Sequence, residues 1–287
     1  MARNMIIKKR GQALQKSPTA GLASVLIAGL AMTLTTLGIF SLEPAKIQSR
    51  PAPNLPIAPV AAEPAVLAAH QPKISPVKPD NVFQPTPSDV INLPRAEALA
   101  PVFYKIPTAK PVIFVGVDDG WVKEPETQAW LLNHRLPFSL FLTDDAIKNN
   151  YDYFKPLKAA GMTIQDHTIG HPNLKRLNLE AQKSQICLPA ERYDAVFGPR
   201  PTLFRPPYGE YNDLTRQAVT ACGLDAVIMW SAVVTNGVLQ YQKTDHLVPG
   251  DIILLHFGKS FVKDADALMA QAKKDGLEIG KLEDWLK

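Results

Sequence analysis

Two histidines four residues apart, His167 and His171, follow an acidic pair, Asp118 and Asp119. The stretches read VGVDDG (residues 115–120) and DHTIGHPNL (residues 166–174). Two imidazoles and one carboxylate can hold a divalent cation and leave coordination positions open, which separates a catalytic site from a closed structural one. The second carboxylate is then free to act as a base beside the metal. Taken singly, an acidic pair before glycine is a turn signal, and a lone histidine is an ordinary core or surface residue.

Position along the chain gives the set its weight. The β-branched run PVIFVGV (residues 111–117) predicts a strand that ends at Asp118, and His167 follows the short run from Met162 to Gln165. Active sites of parallel α/β folds gather at the carboxyl ends of strands. Two further segments repeat the placement. Leu203 and Phe204 lead into RPPYGEYN (residues 205–212), a loop stiffened by proline and freed at glycine. Ile252 to Leu255 end at His256, whose imidazole titrates near neutrality and suits a general acid.

These four clusters resemble, in order and spacing, the motifs of the polysaccharide deacetylases, the NodB-homology or family 4 carbohydrate esterases, across residues 101–287. GVDDG stands for the family's Thr-Phe-Asp-Asp-Gly, HTIGH for its His-Ser/Thr-x-x-His, RPPYG for its Arg-x-Pro-Tyr/Phe-Gly and LLH for its Leu-x-His. The resemblance implies a distorted (β/α) barrel. It implies Asp118 as base, Asp119, His167 and His171 as metal ligands, and His256 as the acid that protonates the leaving amine. Arg205 would orient Asp118, and Tyr208 would give a backbone amide to the oxyanion hole. Pro207 and Trp230 would line the substrate site. The cofactor would be zinc, with cobalt or nickel as alternatives. The substrate would be a cell-wall or exopolysaccharide glycan carrying N-acetyl groups.

The chain also departs from the pattern. Gly116-Val117 replaces Thr-Phe, and Trp121 replaces the following proline. The family pairs the motif arginine with an aspartate after a tryptophan-bearing strand, yet MWSAVVTNG (residues 229–237) holds no carboxylate. An unneutralised Arg205 is expected to lower the pKa of Asp118. Besides a deacetylase, a non-catalytic glycan-binding relative and a non-haem iron oxygenase with the same ligand types stand as alternatives. The intact acid–base pair argues against both. Trp121, Tyr208, Trp230 and Phe257 are candidates for stacking on sugar rings, although such aromatics are as often core.

The N-terminus speaks to location. Arg3, Lys8, Lys9, Arg10 and Lys16 precede an uncharged stretch from Ser17 to Leu42. The predicted organisation is a basic cytoplasmic leader (1–19), a transmembrane signal-anchor (20–41), a Pro-rich disordered linker (42–100) and the catalytic domain (101–287). The apolar run is long enough to span a bilayer, and the positive-inside rule places the domain extracytoplasmically on a single-pass membrane protein. Secretion after signal cleavage is the alternative. Fourteen of the 26 prolines lie between Pro44 and Pro107, a composition of extended, solvated chain. The formal charge is +4, but residues 1–19 hold five cationic side chains and no acid, leaving −1 for the rest. Nothing therefore argues for nucleic acid; a monomer is expected.

The positioning elements alternate. Strands are predicted at 111–117, 138–143, 224–230 and 251–256, with a last one at LEIG (residues 277–280). Helices are predicted near 124–134, 145–160, from Asn178 to Phe197, from Asn212 to Gly223, and near 260–275. Alternation implies a parallel sheet. Cys187 and Cys222 fall on two of these helices; an even count in an outward-facing domain permits a disulfide, with two buried thiols as the alternative.

Overall fold

The computed structural model describes residues 82–93 and 99–287. The leader, the apolar segment 20–41 and linker residues 42–81 and 94–98 lie outside the described residues. Among the described residues no helix is long and apolar enough to cross a membrane.

The strands are β1 (Val82–Phe83), β2 (Val102–Phe103), β3 (Val112–Asp119), β4 (Ser139–Leu142), β5 (Thr163–Asp166), β6 (Leu203–Phe204), β7 (Ala226–Ile228), β8 (Ala232–Thr235), β9 (Val238–Tyr241), β10 (Ile252–His256) and β11 (Glu278–Gly280). The helices are α1 (Pro125–His134), α2 (Asp144–Ile147), α3 (Tyr151–Ala159), α4 (Leu179–Phe197), α5 (Asp213–Ala221) and α6 (Phe261–Lys274). The main sheet runs β2-β7-β6-β5-β4-β3-β10-β8-β9, parallel throughout except for the β8–β9 hairpin. It curls into an incomplete barrel, with helices against its outer face. An isolated antiparallel bridge between Lys105 and Asp251 ties the chain beyond β2 to the start of β10.

Period-two alternation sorts the strands into two faces. Along β3, Ile113, Val115 and Val117 pack outward with Trp130, Leu131, Phe261 and Leu268 of α1 and α6. Val112 and Phe114 point inward to Phe141, Leu203, Ala226, Ile228, Ile252 and Trp285. By the same period Gly116 and Asp118 continue the inner row upward, as do Arg205 after β6, His167 after β5 and His256 on β10. A separate apolar cluster under α4 and α5 includes Phe204, Val227, Ile186 and Val219. Cys187 and Cys222 join there as a disulfide, and neither belongs to the metal motifs.

Three expectations are corrected. The helix predicted at 145–160 is two, α2 and α3, because the chain turns at Lys148 to Asn150 before Asn150 starts the second. The strand predicted at 224–230 stops at Ile228, and residues 232–241 form an antiparallel hairpin about Asn236-Gly237, both at positive φ. Linker composition extends to residue 100, yet β1 pairs with β11 and Ile91 bridges Leu286. Residues 82–93 therefore belong to the packed body.

Candidate active site

Asp118 and Asp119 end β3, His167 and His171 follow β5, Arg205 follows β6 and His256 ends β10. Parallel pairing sets their levels: Asp118 stands opposite Phe141 on β4 and His256 on β10. His256 is exposed at its strand end. The sheet thus brings together every residue cast for the chemistry.

Asp119, His167 and His171 each offer one ligand atom within 4.8 Å of the others. His167 Nε2 lies 3.6 Å and His171 Nε2 3.4 Å from Asp119 Oδ1. Ligands about 2.1 Å from a common tetrahedral centre stand about 3.4 Å apart, so the donors fit a zinc-sized ion. Asp119 Oδ1 is buried with no hydrogen-bond partner, a costly state that a cation would relieve. His167 Nδ1 is 2.7 Å from the Arg205 carbonyl, to which it donates as a neutral imidazole, leaving Nε2 as a lone pair. Burial pushes the His167 pKa down, and the nearby Asp118 and Asp119 carboxylates oppose this only in part. The neutral form is the one a metal takes.

Backbone strain concentrates here. Asp119 (φ 79°), Thr168 (φ 71°), His171 (φ 57°) and Tyr208 (φ 60°) all occupy the left-handed region that non-glycine residues avoid. Local bonds hold the His loop in this shape. Asp166 Oδ1 accepts from the Thr168 amide, Thr168 Oγ1 accepts from the His171 amide, and the Asp144 and Asp145 amides donate to Thr168 and Ile169 carbonyls. Complete burial holds the Asp166 carboxyl well above the usual carboxylate range.

Arg205 is fully buried. Its Nη1 donates to Asp118 Oδ1 at 2.6 Å, Nε to the Ile228 carbonyl and Nη2 to the Met229 carbonyl. Its guanidinium carbon lies 4.1 Å from the Phe141 ring centre. The carboxylate missing from residues 229–237 is thus replaced by two peptide carbonyls and an aromatic face. These satisfy donors and leave Asp118 as the acid paired with Arg205. Gly116 makes this seat possible: a Cβ there would come within 2.3 Å of Nη1 and 2.7 Å of Cζ. The Gly-for-Thr departure is therefore part of the arginine site, a role that Gly116 and Phe141 showed only once the strands were paired.

The aromatic candidates divide. Phe257 is core, with rings of Phe154 and Phe261 about it. Trp230 is half-buried and lies against Gly209, whose added Cβ would meet its ring at 3.0 Å. Pro207 is buried, whereas Tyr208 is exposed with its ring 4.5 Å from that of His171.

The profile described as Polysaccharide deacetylase matches residues 105–227. An uncharacterized protein of Streptomyces coelicolor is 33% identical over 198 residues, which cover 67% of this chain and 80% of that one. The peptidoglycan-N-acetylmuramic acid deacetylase PdaA of Bacillus subtilis is 24% identical over 195 residues, 63% of this chain and 74% of that one. In fold, the chain is similar to a family 4 carbohydrate esterase pseudoenzyme from Bacillus anthracis, with a TM-score of 0.56, 20% identity, and coverage of 64% and 68%. Strand-end motifs, curled sheet and these likenesses agree: the chain belongs to the polysaccharide deacetylase family, hydrolases of the carbon–nitrogen bond of acetylated sugars.

Proposed function

We propose that this chain is a metal-dependent deacetylase that removes N-acetyl groups from a cell-wall or extracellular polysaccharide. The observation that carries the reading is the buried, partnerless Asp119 Oδ1 facing two imidazole nitrogens. When bound, a divalent cation, zinc by preference and cobalt or nickel otherwise, supplies Lewis acidity toward a carbonyl and makes water a stronger acid. Arg205 holds Asp118 by Oδ1, and Oδ2, 3.8 Å from His167 Nε2, takes the proton of the attacking water. The oxyanion that forms on the acetamide is met by the Tyr208 amide. His256 passes a proton to the departing nitrogen as the C–N bond breaks, leaving acetate and a free amine.

The basic leader and uncharged stretch support a single-pass membrane anchor with this domain extracytoplasmic, next to such a polymer. A second reading, a glycan binder without turnover, draws on the absent carboxylate near Arg205. The satisfied guanidinium and the complete set of Asp118, Asp119, His167, His171 and His256 weigh against it. Acetate release from chitin oligomers and purified peptidoglycan, with and without chelator, tests the proposal. Release that chelation abolishes is expected; glycan binding without release from any of these would select the second reading.

A further inference from the structure

The two loops that carry the metal triad leave strands that are not neighbours. Asp119 ends β3, His167 and His171 follow β5, and β4 lies between the two in the sheet. After β4 comes a short segment, Thr143 and the four residues of α2. Both ligand loops are fastened to it.

On the side of the His loop, the Asp144 amide donates to the Thr168 carbonyl at 3.0 Å and the Asp145 amide to the Ile169 carbonyl at 2.8 Å. Thr143 Oγ1 donates to the His167 carbonyl at 3.3 Å. On the side of β3, the Thr143 amide donates to the Asp119 carbonyl at 2.9 Å. Gly120 (φ 92°) lies so close to α2 that an added Cβ would meet Ile147 Cγ2 at 2.7 Å. The last link is a side chain. The half-buried Lys123 ammonium donates to the carbonyls of Gly120 (2.8 Å), Trp121 (3.2 Å) and Ala146 (2.9 Å). Three carbonyls match the three N–H bonds of an ammonium. Two belong to the loop just after Asp119, and the third belongs to α2.

Hydrogen bonds from a charged donor are roughly twice as strong as neutral ones. One cation therefore clamps the Asp119 loop onto the element that also holds the His loop. Asp119 itself is at φ 79°, a shape that persists only where its surroundings enforce it. We propose that Lys123 is a positioning residue for the metal triad. Acting through Gly120 and α2, it fixes the Asp119 carboxylate relative to the two imidazoles and so sets the affinity for the cation. This rests on the metal-dependent reading and assigns part of the metal affinity to a residue that is not itself a ligand.

The test uses the full chain, with zinc affinity measured by competition against a chromophoric chelator. Lys123→Met is expected to weaken zinc binding about 10- to 100-fold, the range for losing a partner behind a metal ligand. The visible band of the cobalt-loaded protein, which reports ligand geometry, should shift in the same variant. Lys155→Met is the control: Lys155 pairs with Asp152 on α3, away from the clamp, and its loss should leave both readouts at parent values. Lys123→Gln keeps two N–H donors without the charge, serves where the Met variant does not fold, and should weaken zinc binding about tenfold. Parent-like zinc affinity in the folded Lys123 variant overturns the inference, even if its urea midpoint falls.

A second readout needs no metal. In the chelator-treated chain, hydrogen exchange at the Asp144 and Asp145 amides should quicken about tenfold in Lys123→Met, the scale of one lost hydrogen bond, while the β4 amides keep the parent rate. If the parent takes up none of zinc, cobalt or nickel, the metal reading fails, and this exchange still decides whether Lys123 holds the two loops together. Parent-like exchange at Asp144 and Asp145 overturns that role.

Discussion

The interior of the curled sheet has two ends, and the same strands build both. At the carboxyl end stand Asp119 with an unpartnered buried oxygen, four non-glycine residues at positive φ, and an arginine wedged against a glycine. At the amino end, Ser139, Thr163 and Gln165 all donate to Glu283 Oε1, at 2.7, 2.5 and 2.9 Å. Gln165 Oε1 in turn accepts from the Thr202 and Leu203 amides. Glu283 comes from the C-terminal segment, whose Trp285 is fully buried edge-on to Phe114 and whose backbone exchanges bonds with Ile91 and Leu93. One end gathers three donors on one acceptor and closes the core, with Glu283 Oε2 and Trp285 Nε1 buried there without hydrogen-bond partners; the other sets four strained residues and an acid oxygen before two imidazoles. The strain is affordable because the amino end and the helical layer supply the stability.

The sharpest way to break this contrast is at the upper end. Asp118→Asn is expected to cut deacetylation by about 10²- to 10⁴-fold while keeping the metal, since a general base contributes on that order. Asp119→Asn should lose metal and activity together, and metal analysis of both variants would distinguish them. Metal retained in both, with only Asp119→Asn inactive, would exchange the two roles.

Gly116→Ala tests the arginine seat. The new methyl must displace the guanidinium, so a stability loss of about 1–3 kcal/mol is expected from overpacking. The Arg205–Asp118 bond should be disturbed as well, seen as a fall in kcat rather than a rise in KM. Parent-like kcat in this variant would mean that Arg205 does not set the position of the base.

At the lower end the expected effect is stability alone. Glu283→Ala strands three donors, at a cost of about 3 kcal/mol for a charged acceptor, with kcat unchanged in the protein that remains folded. Denaturant midpoints and single-temperature kinetics would check both halves; a lowered kcat would show that the two ends are coupled.

The smallest effect concerns the support of the His loop. Asp144 is fully buried, and burial pushes its pKa above 3.8 against the opposing pull of Arg192 and Tyr151. A raised folded pKa means that the folded state keeps a proton the unfolded chain has released. Stability therefore falls as pH rises from 3.8 through the folded value. Asp144→Asn should remove that slope and raise stability at neutral pH, measured by urea unfolding at acidic and neutral pH. A loss at neutral pH would show that the Arg192 pair outweighs the burial.

Much of this was legible in the chain. The alternation of apolar runs and helical segments gave the parallel sheet, and β3 was read to within two residues because hydrophobic β-branched runs leave few other options. Four polar clusters at strand ends defined the candidate site in outline. The hairpin at residues 232–241 was missed even though Asn236-Gly237 is a strong hairpin signal, because its strands are short and half-exposed. The break between α2 and α3 was missed because residues 144–159 keep enough apolar character to read as one helix.

By itself the sequence determined which chemical groups this protein has and the order in which they meet the strands, since residue type and hydrophobic period act locally. Tertiary structure alone decided how Arg205 is satisfied without a second carboxylate. Ile228, Met229, Phe141 and Gly116 lie on three other strands or their ends, and only the sheet's register brings them around one guanidinium. The same holds for Glu283, more than a hundred residues from each of its three donors. Such partners are chosen by strand pairing and burial, which depend on the whole folded chain, and no local pattern of residues encodes them.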